Sequence, residues 1–196
     1  MSFDLSVVIR PESEFLDGIY REIKTLQGWR KGGVSGVENT NVYYVIDVLS
    51  ESISGNLYKY VYKQISQIKD SFEIEIKNFS VQANAYAKDF KGSIHNDFDY
   101  ENNGYPTHRA LVQFKNKNLE GGELIFYKKV IDQPHEFAEF LRISNENHTE
   151  IMFQITPESF HGISRITEGS RISLLINIWD YYSQIPKNFL DTAWMK

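Results

Sequence analysis

The 196-residue chain contains no cysteine, which excludes a disulfide framework, a thiolate metal site and a cysteine nucleophile. His, Asp and Glu are left as its metal-binding and acid–base inventory. No apolar stretch approaches the about 18 residues of a membrane-spanning helix. The opening Met-Ser-Phe-Asp-Leu has no basic leader and is followed only by a short apolar patch, Leu5 to Ile9, broken by Ser6. A cytoplasmic protein without a membrane partner is expected. Positive charge is not in excess: 21 Lys and Arg against 26 Asp and Glu give a formal charge of −5. Nothing therefore draws phosphate backbones over long range, and no nucleic-acid partner is expected. Internal repeats, low-complexity runs and Pro/Gly-rich linkers are also missing, so one domain over residues 1–196 is expected.

What is present is an ordinary globular composition, 41% hydrophobic and 14% aromatic. Its periodicity changes near residue 71. Before that point, Phe15, Leu16, Ile19, Tyr20, Ile23 and Leu26 recur at helical steps between Pro11 and Gly28, and Ile53, Leu57, Val61, Ile65 and Ile68 form a second such face. Val42–Leu49 between them reads as a buried strand. From Phe72 the step shortens to two through Ile74, Ile76, Phe79, Val81, Ala83 and Ala85. Further strands are expected at Ala110–Phe114, Glu123–Tyr127, Ile151–Ile155 and Arg171–Trp179, with turns at Asn102-Asn103-Gly104, Gly121-Gly122 and Thr167-Glu168-Gly169. Pro134–Leu141 reads as a short helix within this region. Helical support over about 1–70 and a β core over about 71–182 suggest a mainly β, α+β protein. The expected architecture is a double-stranded β-helix or jelly roll, with helices on one outer face.

His95-Asn96-Asp97 places two potential metal ligands at i and i+2, which leave the same face of a strand. One such doublet is weak, because five His and the Asp content produce it readily by chance. His161, at the edge of a strand-like segment, could complete a two-His-one-carboxylate iron site with open coordination positions. Asp99 is an alternative carboxylate, and otherwise a rim residue toward the substrate. Arg171 lies ten residues beyond His161 with Ser173 at i+2, a pair able to hold the far carboxylate of an organic diacid. If Thr167-Glu168-Gly169 closes a three-residue hairpin, His161 faces Leu175. His161, Arg171, Ser173, Leu175, Asn177 and Trp179 then point one way, and Ile172, Leu174, Ile176 and Ile178 the other.

His95-x-Asp97, Gly121-Gly122-Glu123-Leu124, His161 and Gly169-Ser170-Arg171-Ile172-Ser173-Leu174, taken in order, resemble the motifs of the 2-oxoglutarate and iron(II)-dependent oxygenases, particularly the prolyl 4-hydroxylase-like branch. The resemblance covers about Phe79 to Asp180. It implies iron(II) on His95, Asp97 and His161, with 2-oxoglutarate chelating the metal and its other carboxylate meeting Arg171 and Ser173. It further implies dioxygen as co-substrate and oxidative decarboxylation of 2-oxoglutarate to succinate, coupled to hydroxylation of an unactivated C–H bond. The carboxylate at Asp97 favours hydroxylation over halogenation. An amino acid, a peptidyl proline or another small molecule is the expected substrate class.

Tyr86 is a candidate hydrogen-bond donor to the co-substrate, set against the plainer role of a packed tyrosine. Arg109 is a candidate for a substrate carboxylate, set against a solvated strand-end arginine. His108, His135 and His148 receive no role. Tyr58, Lys59, Tyr60, Tyr62 and Lys63 have the texture of a single-strand-binding surface, but helical spacing makes Leu57 and Val61 core and the lysines a solvated stripe. Two rival functions remain. One is a cupin-like metalloenzyme that uses the triad without 2-oxoglutarate; the other is a non-catalytic jelly-roll binding module.

Overall fold

A computed structural model of the chain describes residues 3–32, 43–98, 105–131 and 133–181. Asp99, Val42 and the expected Asn102-Asn103-Gly104 turn lie outside the described residues. Helix α1 (Glu14–Thr25) starts where the Ser13 hydroxyl accepts from the Leu16 N–H at 3.2 Å, and it buries Leu16, Ile19 and Ile23. Helix α2 (Gly55–Phe72) starts in the same way at Ser54 and buries Leu57, Tyr60, Val61, Gln64, Ile65 and Ile68. Glu22 of α1 accepts from both the Ser54 backbone N–H and its hydroxyl, so the first helix anchors the start of the second. No helix among the described residues is long and apolar enough to cross a membrane.

Among the described residues there are ten strands, in chain order β1 (Leu5–Arg10), β2 (Arg30–Gly32), β3 (Tyr43–Asp47), β4 (Asn78–Ala87), β5 (His108–Gln113), β6 (Leu124–Val130), β7 (Gln133–Ile143), β8 (His148–Gln154), β9 (His161–Ile163) and β10 (Ser170–Trp179). A seven-stranded sheet runs β1-β8-β5-β10-β4-β3-β2 and a three-stranded sheet runs β7-β6-β9, with antiparallel pairing throughout. Strand alternation sorts the side chains of the large sheet into two cores. Val81, Ala83, Ala110, Val112, Ile172, Leu174, Ile176 and Ile178 pack with the helices. Leu111, Ile151, Phe153 and Leu175 pack with Leu124 and Phe126 of the small sheet. The result is the expected jelly roll with helices over one outer face.

Three local expectations are corrected. Phe72 ends α2 instead of starting a strand: Glu73 takes the left-handed conformation (φ 52°) and its N–H bonds to the Lys69 carbonyl. Phe72, Ile74 and Ile76 still pack against the helical core, which accounts for their apolar alternation without a ladder. Pro134–Leu141 belongs to strand β7, not to a helix. Its register against β6 shifts where Phe126 faces Leu141 and Tyr127 faces Glu139, leaving Phe140 as an extra residue. Phe137 packs on Phe160, whereas the bulged Phe140 packs with Phe3 and Phe126.

The third correction concerns the hairpin expected between His161 and Arg171, which does not form. Strand β9 pairs with β6 in the small sheet, whereas both edges of β10 are taken by β4 and β5. The segment between them crosses from sheet to sheet, tied by the Ser164 N–H to the Glu123 carbonyl and the Ile166 N–H to the Phe90 carbonyl. Alternation along β10 is independent of its partner. Arg171, Ser173, Leu175 and Asn177 therefore share the inner face, and the isoleucines and Leu174 face the helices.

Candidate metal centre

His95 and His161 stand opposite each other as an isolated antiparallel pair, each donating its backbone N–H to the other's carbonyl, at 3.0 and 2.8 Å. This mutual exchange is the hydrogen-bonded form of antiparallel pairing, which puts both side chains on one side, with ring centroids 4.6 Å apart. His95-Asn96-Asp97 is not part of a regular strand, but Asp97 still turns to the same point. Its Oδ1 lies 3.8 Å from His95 Nε2 and its Oδ2 lies 3.3 Å from His161 Nε2. One ligand atom from each of the three residues lies within 4.8 Å of the others, a group able to hold a metal ion.

The imidazoles are set up for a cation. Nδ1 of His95 is 2.8 Å from the Ser93 carbonyl and Nδ1 of His161 is 3.0 Å from the Ser159 carbonyl. A carbonyl can only accept, so each Nδ1 carries a proton and directs Nε2 toward the centre. Burial of His161 among Phe126 and Phe153 lowers its pKa to about 4, against the opposing pull of Asp97, and keeps the ring neutral at physiological pH. Burial alone would push the Asp97 carboxyl up, but Arg109, His161 and His95 outweigh it and hold the pKa down at about 2. A neutral His161 ring and an ionised Asp97 carboxylate suit a divalent ion.

Arg109, expected as a possible substrate contact, is turned inward. Its NH1 donates to Asp97 Oδ2 at 2.5 Å and its Nε donates to Asn177 Oδ1 at 2.8 Å. Asn177 is opposite Arg109 in the β10–β5 ladder, so the sheet register sets this chain of contacts.

At the other end of the inner face, Arg171 is 1% exposed. Burial lowers its pKa to about 10, so it remains charged at neutral pH. Among the described residues, neither its Nε nor its NH1 has a hydrogen-bond partner, and the Ser173 hydroxyl is also unpartnered. A fully desolvated guanidinium with idle donors is costly unless an anion completes it. The Tyr86 ring lies 5.7 Å from the guanidinium carbon, and its hydroxyl accepts from Asn84 Nδ2 at 3.0 Å, leaving the phenolic proton to donate elsewhere. These idle donors fit the distal carboxylate of a 2-oxo diacid, and the His-Asp-His group fits iron(II).

Two contributors were not singled out from the sequence. Gln113 accepts from Arg171 NH2 at 3.3 Å, and Asn145 bonds to Gln113 in turn. A polar residue between Val112 and Phe114 in a buried strand is a readable signal for Gln113. Asn145, in the turn after β7, offers none. Two other histidines have packing partners: His108 lies against Phe72, and His148 is bonded to Asp17 and to the Lys115 N–H. For His135 only the backbone, in β7, is described.

No family model matches this sequence, and no curated protein matches it significantly. Solved structures do match. A prolyl hydroxylase of Trichoplax adhaerens, in complex with a hypoxia inducible factor oxygen degradation domain peptide fragment, is 11% identical with a TM-score of 0.68, covering 90% of this chain and 83% of that one. A Pseudomonas putida prolyl-4-hydroxylase is 12% identical with a TM-score of 0.62, covering 92% and 94%. HygX of Streptomyces hygroscopicus, with nickel, 2-oxoglutarate and hygromycin B bound, is 11% identical with a TM-score of 0.60, covering 92% and 84%. The chain is thus structurally similar to prolyl hydroxylases and 2-oxoglutarate–iron oxygenases over about nine-tenths of its length. At these identities the similarity is one of fold.

Proposed function

We propose that this chain is an iron(II)- and 2-oxoglutarate-dependent dioxygenase that hydroxylates an unactivated C–H bond. The observation that carries the proposal is a metal-ready His-Asp-His group on the same inner surface as a buried guanidinium with unpartnered donors. A cupin-like enzyme that does not use 2-oxoglutarate would have no need for Arg171 in that state. A jelly-roll binding module would need neither feature.

In this proposal His95, Asp97 and His161 hold the iron, and their Nδ1 bonds to Ser93 and Ser159 keep both rings oriented. When bound, iron(II) with dioxygen and 2-oxoglutarate supplies the oxidising power for C–H hydroxylation, with succinate and carbon dioxide as co-products. Arg109 donates to Asp97 Oδ2 and would orient that carboxylate for the metal. Arg171 and Ser173 receive the distal carboxylate, with Tyr86 as a further donor. Leu111, Phe126, Phe153 and Leu175 keep water from the pocket, which strengthens the charged contacts inside it. The substrate arrives from the side of His95, whose side chain is 48% exposed against 8% for His161. A free amino acid, a peptidyl proline or another small molecule is the proposed class. The matched structures hold both a peptide and hygromycin B, so the fold accommodates partners of either kind.

Anaerobic addition of iron(II) followed by 2-oxoglutarate tests this reading. A weak visible charge-transfer band should develop with the second addition and should be absent in His161→Ala. With Arg171→Ala the 2-oxoglutarate affinity should fall by roughly two to three orders of magnitude, since one partner of a buried charged pair is lost. No band, or equal affinity in wild type and Arg171→Ala, overturns the co-substrate assignment.

A further inference from the structure

We infer that Gln113 and Asn145 are positioning residues that aim Arg171, forming an amide relay that sets the preference for a co-substrate with a distal carboxylate. The inference rests on the proposed role of Arg171 as the anchor of that carboxylate. Gln113 is fully buried, Asn145 is 7% exposed, and among the described residues the only hydrogen bond made by the Arg171 side chain is NH2 to Gln113 Oε1.

The sense of the relay is fixed from its far end. The Gly121 carbonyl can only accept, so Asn145 must present Nδ2 to it, at 2.5 Å. Asn145 Oδ1 is then turned toward Gln113, which must offer Nε2; the same nitrogen also lies 3.3 Å from the Ser144 carbonyl. Gln113 Oε1 is consequently left facing Arg171 as an acceptor, and it cannot flip without placing two acceptors or two donors together at each link. The Gly121 end is itself held by backbone conformation. Gly121 has φ +71°, and a Cβ there would collide with the Arg165 carbonyl.

The relay fastens one corner of the guanidinium and the Tyr86 ring lies against its face, so Nε and NH1 are held ready for an anion. Ser173, whose hydroxyl is also idle, is directly opposite Gln113 in the β10–β5 ladder. Without Gln113 the guanidinium would have no hydrogen bond to hold it, and ligand binding would bear the full cost of ordering it. The Gly121-Gly122 turn thereby gains a function that metal chemistry does not require of it: it is the fixed end of the device that orients the anion receptor.

The test compares two ligands on the iron(II)-loaded full chain by anaerobic titration of the charge-transfer band: 2-oxoglutarate and 2-oxovalerate, which lacks the distal carboxylate. Gln113→Leu should weaken 2-oxoglutarate by about tenfold or more, the scale of one hydrogen bond to a charged group, while 2-oxovalerate affinity stays within about twofold. Asn145→Leu should shift the ratio in the same direction by less. Gln113→Glu, which keeps the polar size and adds a competing carboxylate, should also collapse the ratio and serves if Gln113→Leu does not fold. A general loosening of the pocket would weaken both ligands together, and that outcome or an unchanged ratio overturns the positioning role. Arg171→Met distinguishes the two levels of argument. If it collapses the ratio while the Gln113 variants do not, only the relay falls; if it too leaves the ratio unchanged, the anchoring role of Arg171 falls with it.

Discussion

Arg109 NH1 donates to Asp97 Oδ2 across 2.5 Å, so the carboxylate that faces both histidines is also one half of a nearly buried ion pair. The position of Asp97 therefore depends on a residue that ligates nothing. Arg109→Met should lower iron(II) or manganese(II) affinity by about 10- to 100-fold, the usual scale for losing a partner that orients a ligand. Metal titration by calorimetry checks this. Unchanged affinity would show that the backbone alone positions Asp97.

Loss of a ligand should be more severe than loss of its support. His161→Ala and Asp97→Ala should abolish succinate production and stoichiometric metal binding while leaving the far-ultraviolet circular dichroism unchanged. Asp99→Ala should retain the metal. The reverse pattern would transfer the carboxylate role to Asp99.

A third prediction concerns acid stability away from the centre. His148 is fully buried, its Nδ1 accepts from the Lys115 N–H, and its Nε2 faces Asp17, so the ring is neutral in the fold. Burial lowers its pKa below the ordinary 6.5, and the attraction of Asp17 only partly offsets this. The folded state then binds fewer protons than the unfolded state just below pH 6.5. The stabilising contribution is complete above that pH and is lost as pH falls toward the depressed folded value, with a slope of at most about 1.4 kcal/mol per pH unit. Denaturant titrations from pH 8 to 5 should show the decline, and His148→Gln should flatten it. Equal slopes would mean that other groups govern acid stability.

Gly121→Ala should destabilise the protein by at least about 2 kcal/mol, because a side chain is strained at φ +71° and would meet the Arg165 carbonyl. Thermal unfolding checks the direction. An Ala variant as stable as wild type would show that the turn relaxes freely.

Glu150 provides a purely structural contrast. It is buried on the helical side, where its carboxylate accepts from Arg10, from the Tyr60 hydroxyl at 2.9 Å and from Gln64 at 3.0 Å. Glu150→Ala should cost about 3–5 kcal/mol by leaving Arg10 and two buried polar groups without their shared acceptor. Metal affinity of the folded fraction should be unchanged, since this network faces away from the centre.

The sequence by itself determined the features that depend on short-range geometry. The two helices follow from apolar residues at three- and four-residue steps behind Ser13 and Ser54. The division of β10 into a polar inner edge and an aliphatic outer one follows from alternation, which holds whichever strand lies alongside. His95, Asp97 and His161 are legible as candidates because their donor chemistry and their order with Gly121-Gly122 and Arg171 are written in the chain, although the strand that the i, i+2 step suggested does not form. Tertiary structure decided what depends on partner choice. Only the folded sheets show that β9 joins β6 while β10 is enclosed by β4 and β5, since the alternation of β10 suits any antiparallel neighbour. Only the pairing of Pro134–Leu141 with β6 shows that this segment is a strand. The contact of Arg109 with Asp97 spans twelve positions, and the relay that joins Gly121, Asn145, Gln113 and Arg171 spans fifty-eight. Each depends on ladder register and loop closure, which no local pattern encodes.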